Sequence, residues 1–302
     1  MTIGVGFGMA PWWRDGHPEN VYRGLDEIAA AGFDGVEIFG SPLQQFITRP
    51  AYFGQLVRRN GLTLSSVYSH FTYLDPVRQP TEDEEFRRIA NFTAEAGGKW
   101  LLLDGGHKPD LTGPTDVSDG DIERVADAAN RYATIGRELG LSLAWHQHWG
   151  GIFEWPEPFH RFMAATDPGL VNFCPDSAQL HMGGFDVVET FARYADRIKF
   201  VHFKDLAPNH NWELAAKHGG PAQPGDSGGY HVDSKWRMVE LGRGVIDFPA
   251  LLAILEGAGF DGWIVDDMDY SAYAALECAT VCRDYLRGAL GLTGRKAEGA
   301  GR

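Results

Sequence analysis

The sequence is short of cysteine, short of positive charge, and without a long apolar run. Three cysteines, Cys174, Cys278 and Cys282, stand among 302 residues. They form no CxxC pair and no even framework, which argues against a disulfide scaffold and predicts free thiols in a reducing, cytoplasmic compartment. Lysine and arginine number 27 against 41 acidic residues, a formal net charge of −14. A nucleic-acid binder needs a basic surface to replace counterions on phosphates, so nucleic acid is not expected as a partner. No apolar stretch is long enough to span a bilayer, and the N-terminal MTIGVGFGMAPWW has no basic segment ahead of an apolar run. Neither a membrane association nor a secretory signal is expected. A phosphate fingerprint is missing as well. The first apolar run leads into GFGMAPWWRDG without a GxGxxG that opens a helix, which weakens a doubly wound, dinucleotide-binding reading.

What is present is an alternation. Short, nearly all-apolar runs lie at 2–8, 35–39, 62–68, 100–104, 141–146, 171–176, 198–202 and 263–267. Between them apolar residues recur at helical spacing, most clearly over 19–31, 82–96, 119–139, 248–257 and 272–290. Runs of this kind suit strands covered on both faces. Eight of them with intervening helices predict an α/β fold, a closed (β/α)8 TIM barrel, as one domain over residues 1–290. The small, polar tail 291–302 is expected to be flexible. AGFDGVEI at 31–38 returns as AGFDGWIV at 258–265, the same helix-to-strand corner used twice. One connection is long: 206–243, rich in Gly, Pro, His and Asp, reads as a loop over the catalytic face.

The chemistry gathers at the ends of the later strands. In WHQHWGG, His146 and His148 share a face if the strand continues, because side chains alternate along it. Asp176 ends VNFCPD, His202 ends IKFVH, and Asp267 lies in WIVDDMD. Glu37 lies in GVEIF and His70 follows LSSVYS. Strand ends of a barrel converge on one opening, and polar groups there are costly unless something satisfies them. His146, Asp176, His202 and Asp267, one on each of strands five to eight, form a mixed nitrogen and oxygen set suited to Mn²⁺, Co²⁺, Fe²⁺ or Zn²⁺. Taken singly, each residue also has an ordinary structural use, as a turn cap or a hydrogen-bonded core group.

WHQHWGG, CPDSAQLHMGG, VHFKD, ELGRGVIDF and GFDGWIVDDMD together resemble the sugar phosphate isomerase/epimerase superfamily with a xylose isomerase-like barrel, closest to inosose dehydratase-like members. The resemblance covers residues 1 to about 290. It implies a divalent metal, Mn²⁺ first, on His146, Asp176, His202 and Asp267. His148, His70 and Glu37 are the expected groups to move protons, since each could approach a substrate held there, and Lys204 is expected to hold a substrate oxygen or the enolate. Trp12, Trp13, Trp149, His181 and Asp205 are the expected substrate contacts. Two positions depart from the family pattern: His146 stands where many members carry Glu, and Asp267 where Glu is expected on the eighth strand.

The chemistry so implied is enolate formation on a keto-polyol or keto-sugar, ending in dehydration or in isomerisation or epimerisation. Two alternatives stand beside it, a relative that cleaves keto-glycosides by elimination and a sugar-binding barrel without turnover. A DNA repair endonuclease of the same barrel type would need a basic surface, which a charge of −14 argues against. The expected partner is a small sugar or polyol, and the resemblance allows for a homo-oligomer.

Overall fold

The computed structural model describes residues 3–13, 19–75, 77–106, 112–209 and 235–294. Strands β1 (Gly4–Gly8), β2 (Gly35–Ile38), β3 (Thr63–Ser69), β4 (Trp100–Asp104), β5 (Ser142–His146), β6 (Val171–Cys174) and β7 (Phe200–Phe203) follow one another with helices between. A hairpin of β8 (Asp205–Pro208) and β9 (Trp236–Val239) comes next, and β10 (Trp263–Asp266) is the last strand. The main sheet has eight strands in the order β6-β5-β4-β3-β2-β1-β10-β7, every pairing parallel. Single bridges from Phe173 to Ile198 and from Asp176 to His202 join its two ends. The barrel predicted from the alternation of runs is therefore the fold observed, with strand boundaries within two residues of expectation on most strands.

Alternation along each strand sorts side chains into the barrel interior and the layer under the helices. Leu102, Ala144, Cys174, Phe200, Trp263 and Val265 form a small buried cluster of their own inside the barrel. Their sequence neighbours Leu101, Leu103, Leu143, Phe173, Val201 and Ile264 belong to the larger outer core shared with the helices. Trp263 closes the barrel floor. A Cβ on Gly35 would lie 2.6 Å from its ring, so the glycine of the repeated AGFDG corner is what lets the indole in.

Helices cover the sheet at 19–31, 79–96, 119–138, 248–257 and 275–288, close to the expected spans. Further helices at 50–59, 156–165, 177–182 and 187–193 were not predicted. The last two are short, and the first two open with proline at the N-terminal turn, a position where its missing N–H costs nothing. The long connection expected over 206–243 contains the antiparallel β8–β9 pair. Its residues 210–234 lie outside the described residues, as do 295–302 of the expected tail. Among the described residues no helix is long and apolar enough to cross a membrane.

Candidate active site

The interior cluster fixes where the polar groups go. His146, Asp176, His202 and Asp267 each stand two residues beyond an interior residue, namely Ala144, Cys174, Phe200 and Val265. They therefore point inward, one layer above the apolar floor. The bridge between Asp176 and His202 sets two of them side by side. One ligand-type atom from each of the four lies within 4.8 Å of all the others, and all four residues are buried. The structure thus assembles the quartet proposed from the sequence.

Their electrostatics favour positive charge among the carboxylates. Burial pushes the Asp176 carboxyl up, but the Lys204 ammonium and the His146 and His202 imidazoles outweigh it and hold the group well below the usual range. Asp267 is lowered in the same way, burial being outweighed by Lys204 and His202. Burial alone would lower His202, yet the charges of Glu37, Asp267 and Asp176 raise it to about 9. His146 is lowered, chiefly by burial. Two nitrogens, His146 Nδ1 and His202 Nδ1, are buried without a hydrogen-bond partner. His202 Nδ1 faces Asp267 Oδ2 at 3.5 Å and Asp176 Oδ2 at 3.9 Å. The two carboxylates favour positive charge beside this nitrogen, and a buried nitrogen without a hydrogen-bond partner there fits a metal ligand. The donor set, two imidazoles and two carboxylates, fits a divalent transition ion or zinc.

Above the quartet lies a cavity of about 130 Å³ that opens to solvent. Lys204, His148 and Glu37 line it. Lys204 is 1% exposed, and its Nζ sits 2.7 Å from Asp267 Oδ2, 2.7 Å from Asp269 Oδ2 and 3.3 Å from Asp176 Oδ2. His148 Nδ1 is 2.5 Å from the Trp149 carbonyl oxygen. Donating that proton leaves the acceptor lone pair of a neutral imidazole on Nε2. The opposite wall is aromatic: Phe39 and Tyr68 line it, and their rings meet edge to face at 5.9 Å.

The other sequence candidates lie elsewhere. Nδ1 of His70 is 2.7 Å from Asp104 Oδ2, and its side chain is half exposed beside the cavity rather than in its lining. Trp12 is buried, with Nε1 donating to Glu27. Trp13 stands behind Phe39, 5.5 Å away edge to face. The Trp149 amide donates to Gln179. His181 packs against Trp236 of β9 at 4.5 Å. Asp205 accepts backbone N–H bonds from Leu206, Gly242, Gly244 and Ile246, so its carboxylate pins the 242–246 turn. Phe39, Tyr68 and Asp104 reach the site or its border without a mark in the sequence reading, whereas Asp269 belongs to the same WIVDDMD strand end as Asp267. Asp104 carried a usable signal, since it closes WLLLD as Asp176 closes VNFCPD. Nothing in the local pattern marks Phe39 or Tyr68 apart from other apolar strand residues.

Comparison with known proteins bears on this geometry. A family model described as xylose isomerase-like TIM barrel matches residues 25–277. The inosose dehydratase of Lacticaseibacillus casei is 27% identical over 303 residues, covering 95% of this chain and 97% of the relative. A solved structure of the IOLI protein with a bound zinc atom superposes with a TM-score of 0.72 at 15% identity, over 94% of this chain and 97% of that one. D-allulose 3-epimerase from Methylomonas sp. does so with a TM-score of 0.71 at 16% identity, over 95% and 97%.

Proposed function

The chain belongs to the xylose isomerase-like TIM-barrel family, and from that premise we propose that it is a metal-dependent lyase or isomerase acting on a keto-polyol or keto-sugar. The observation that carries this reading is the buried quartet of His146, Asp176, His202 and Asp267 beneath a cavity lined by Lys204 and His148. Those four residues would hold a divalent ion, Mn²⁺ or Zn²⁺ being the first choices. When bound, such an ion supplies Lewis-acid polarisation of a ketone and its neighbouring hydroxyl.

The chain's own residues supply the rest. His148 takes the proton from the carbon beside the ketone through its Nε2 lone pair. Lys204 donates a hydrogen bond to the oxygen on which negative charge develops, and Asp269 holds the ammonium in place. Phe39 and Tyr68 face the carbon skeleton and limit water. In dehydration, the electron pair of the broken C–H bond forms the C=C bond, the β-hydroxyl departs, and the proton held by His148 converts it to water. Return of that proton to the neighbouring carbon, with the enediol hydroxyl proton passing between the two oxygens, gives isomerisation; a proton delivered to the opposite face by a second group gives epimerisation. The full-length match to an inosose dehydratase favours dehydration.

The test is a substrate panel of an inosose, free ketohexoses and a 3-keto-glucoside, with Mn²⁺-loaded protein, followed by proton NMR. Loss of water from the inosose supports the dehydratase. New sugar isomers support the isomerase, and release of an aglycone supports the keto-glycoside reading. Saturable binding without conversion of any compound overturns the enzyme and leaves a sugar-binding barrel.

A further inference from the structure

We infer that Glu37, backed by Ser66, is a positioning residue for the metal centre: it fixes the His202 imidazole so that Nδ1 is presented as the ligand. This rests on the metal centre proposed above and adds residues from two strands that hold none of the quartet.

Glu37 is on β2, Ser66 on β3 and His202 on β7, so the contact crosses the barrel interior. All three are buried, at 1%, 0% and 1% exposure. Ser66 Oγ lies 2.5 Å from Glu37 Oε2, and His202 Nε2 lies 3.1 Å from that same oxygen. Ser66 donates its hydroxyl proton and His202 its Nε2 proton, so the oxygen is already committed twice. With the Nε2 proton given to Glu37, the proton that an ion would displace is the one on Nδ1, and the lone pair of the ring then falls there. That is the nitrogen with no hydrogen-bond partner, facing Asp176 and Asp267. A carboxylate behind a ligand histidine fixes both tautomer and ring orientation, and raises its strength as a ligand.

The backbone adds an independent observation. The pairing of β2 with β3 shifts register between Val36 and Glu37: Val36 is opposite Leu64, while Glu37 is opposite Ser66. Without the irregularity Glu37 would stand opposite Ser65. Bulges of this kind re-aim a side chain at a site. Here the extra residue brings the Ser66 hydroxyl level with the Glu37 carboxylate.

The experiment is a Co²⁺ titration of the full chain, read by the visible absorption of the bound ion, for the natural protein, Glu37→Gln, Glu37→Asp and Ser66→Ala. Glu37→Gln is expected to weaken binding by about 10–100-fold and to alter the Co²⁺ bands as the His202 ring loses its support. Glu37→Asp keeps the charge but is one methylene too short, so it is expected to lose affinity as well. Ser66→Ala is expected to lose less, with a similar spectral change. A folded Glu37→Gln with natural Co²⁺ affinity overturns the inference. Glu37→Asp that binds like the natural protein reduces the effect to charge and overturns positioning. If both Glu37 variants fail to fold, Ser66→Ala decides: unchanged affinity and bands overturn the inference. A natural protein that takes up no Co²⁺ overturns the metal centre itself, an outcome distinct from the others.

Discussion

The Lys204 ammonium lies 2.7 Å from Asp267 Oδ2 and 3.3 Å from Asp176 Oδ2, on two of the carboxylates that frame the candidate metal centre. An ion held by these residues would compete with this lysine for the same two carboxylates. Two unit charges at about 4 Å repel by about 4 kcal/mol at an effective dielectric constant of about 20. Asp269, 2.7 Å from the same nitrogen, offsets part of that repulsion.

Replacing Lys204 with methionine is therefore expected to tighten divalent-metal binding by about tenfold or more, equivalent to about 1.4 kcal/mol. Turnover should fall about 10²–10³-fold, since a donor aimed at developing negative charge is lost. Metal titration and steady-state rates on the same variant check both halves. Weaker metal binding in Lys204→Met would show that the ammonium supports the centre rather than competing for it.

A second expectation concerns Asp104 and His70. Burial pushes the Asp104 carboxyl up, but the hydrogen bond and charge of His70, with His148 and Tyr68, bring it down to about 2. His70 is raised in return, chiefly by its hydrogen bond to Asp104. The signs follow. The Asp104 contribution to stability is present above its unfolded pKa of about 3.9 and is lost as pH falls towards 2. That of His70 is present below about 6.5 and is lost as pH rises through its folded value. In Asp104→Asn the His70 titration, followed by proton NMR, should move down towards about 6.5. A His70 titration unmoved by that change would mean the 2.7 Å contact does not exist in solution.

A third concerns Asp266, which points away from the quartet, under the helix at 275–288. Burial, only partly opposed by the neighbouring Cys282 thiol and helped by the Asp267 charge, raises its carboxyl to about 8. The folded state then holds a proton that the unfolded chain releases near pH 4, so stability falls as pH rises from about 4 to 8. Asp266→Asn keeps the shape and removes the titration. Its melting temperature should decline less between pH 5 and pH 8 than that of the natural protein. Parallel declines in the two proteins would mean that Asp266 is ionised across the range.

The quartet was legible in the sequence because one rule governs it. Strands buried on both faces leave few polar residues, so those at strand ends stand out, and a barrel sends every inward strand end to one mouth. His146, Asp176, His202 and Asp267 satisfy that rule in a single chain order. The rule says nothing about contacts across the barrel. Glu37 was visible as a polar strand residue, but its partner His202 lies 165 positions away and its register depends on a bulge. Phe39 and Tyr68 look like any core aromatic until the cavity is seen. Asp205 misled for the opposite reason: it follows the Lys204 of VHFKD, yet its carboxylate is consumed by the N–H of its neighbour Leu206 and by the N–H groups of Gly242, Gly244 and Ile246 in a distant turn.

The barrel floor gives a fourth expectation. A Cβ on residue 35 would meet the Trp263 ring at 2.6 Å and the Thr63 carbonyl oxygen at 3.0 Å. Gly35→Ala should therefore cost about 1–3 kcal/mol, the usual penalty of overpacking a filled core. Combining it with Trp263→Phe, which shortens the ring system, should recover part of the loss, read as a coupling in a double-mutant cycle. Additive losses would place the strain against the Thr63 backbone instead.

The two histidines of WHQHWGG give the last expectation, because they sit two residues apart and have different neighbours. The His146 ring is 4.8 Å from that of His202 and its Nε2 is 3.4 Å from Asp176 Oδ2, inside the quartet. His148 lines the cavity, and its Nδ1 is held at the Trp149 carbonyl. His146→Ala should therefore lose the metal, and turnover with it. His148→Ala should keep the metal at natural affinity and lose about 10²–10⁴-fold in turnover, the range for removal of a general base. Metal content and rate measured on both variants separate the roles. Full turnover in His148→Ala would remove it as the base and leave Lys204 as the cavity group placed to move a proton.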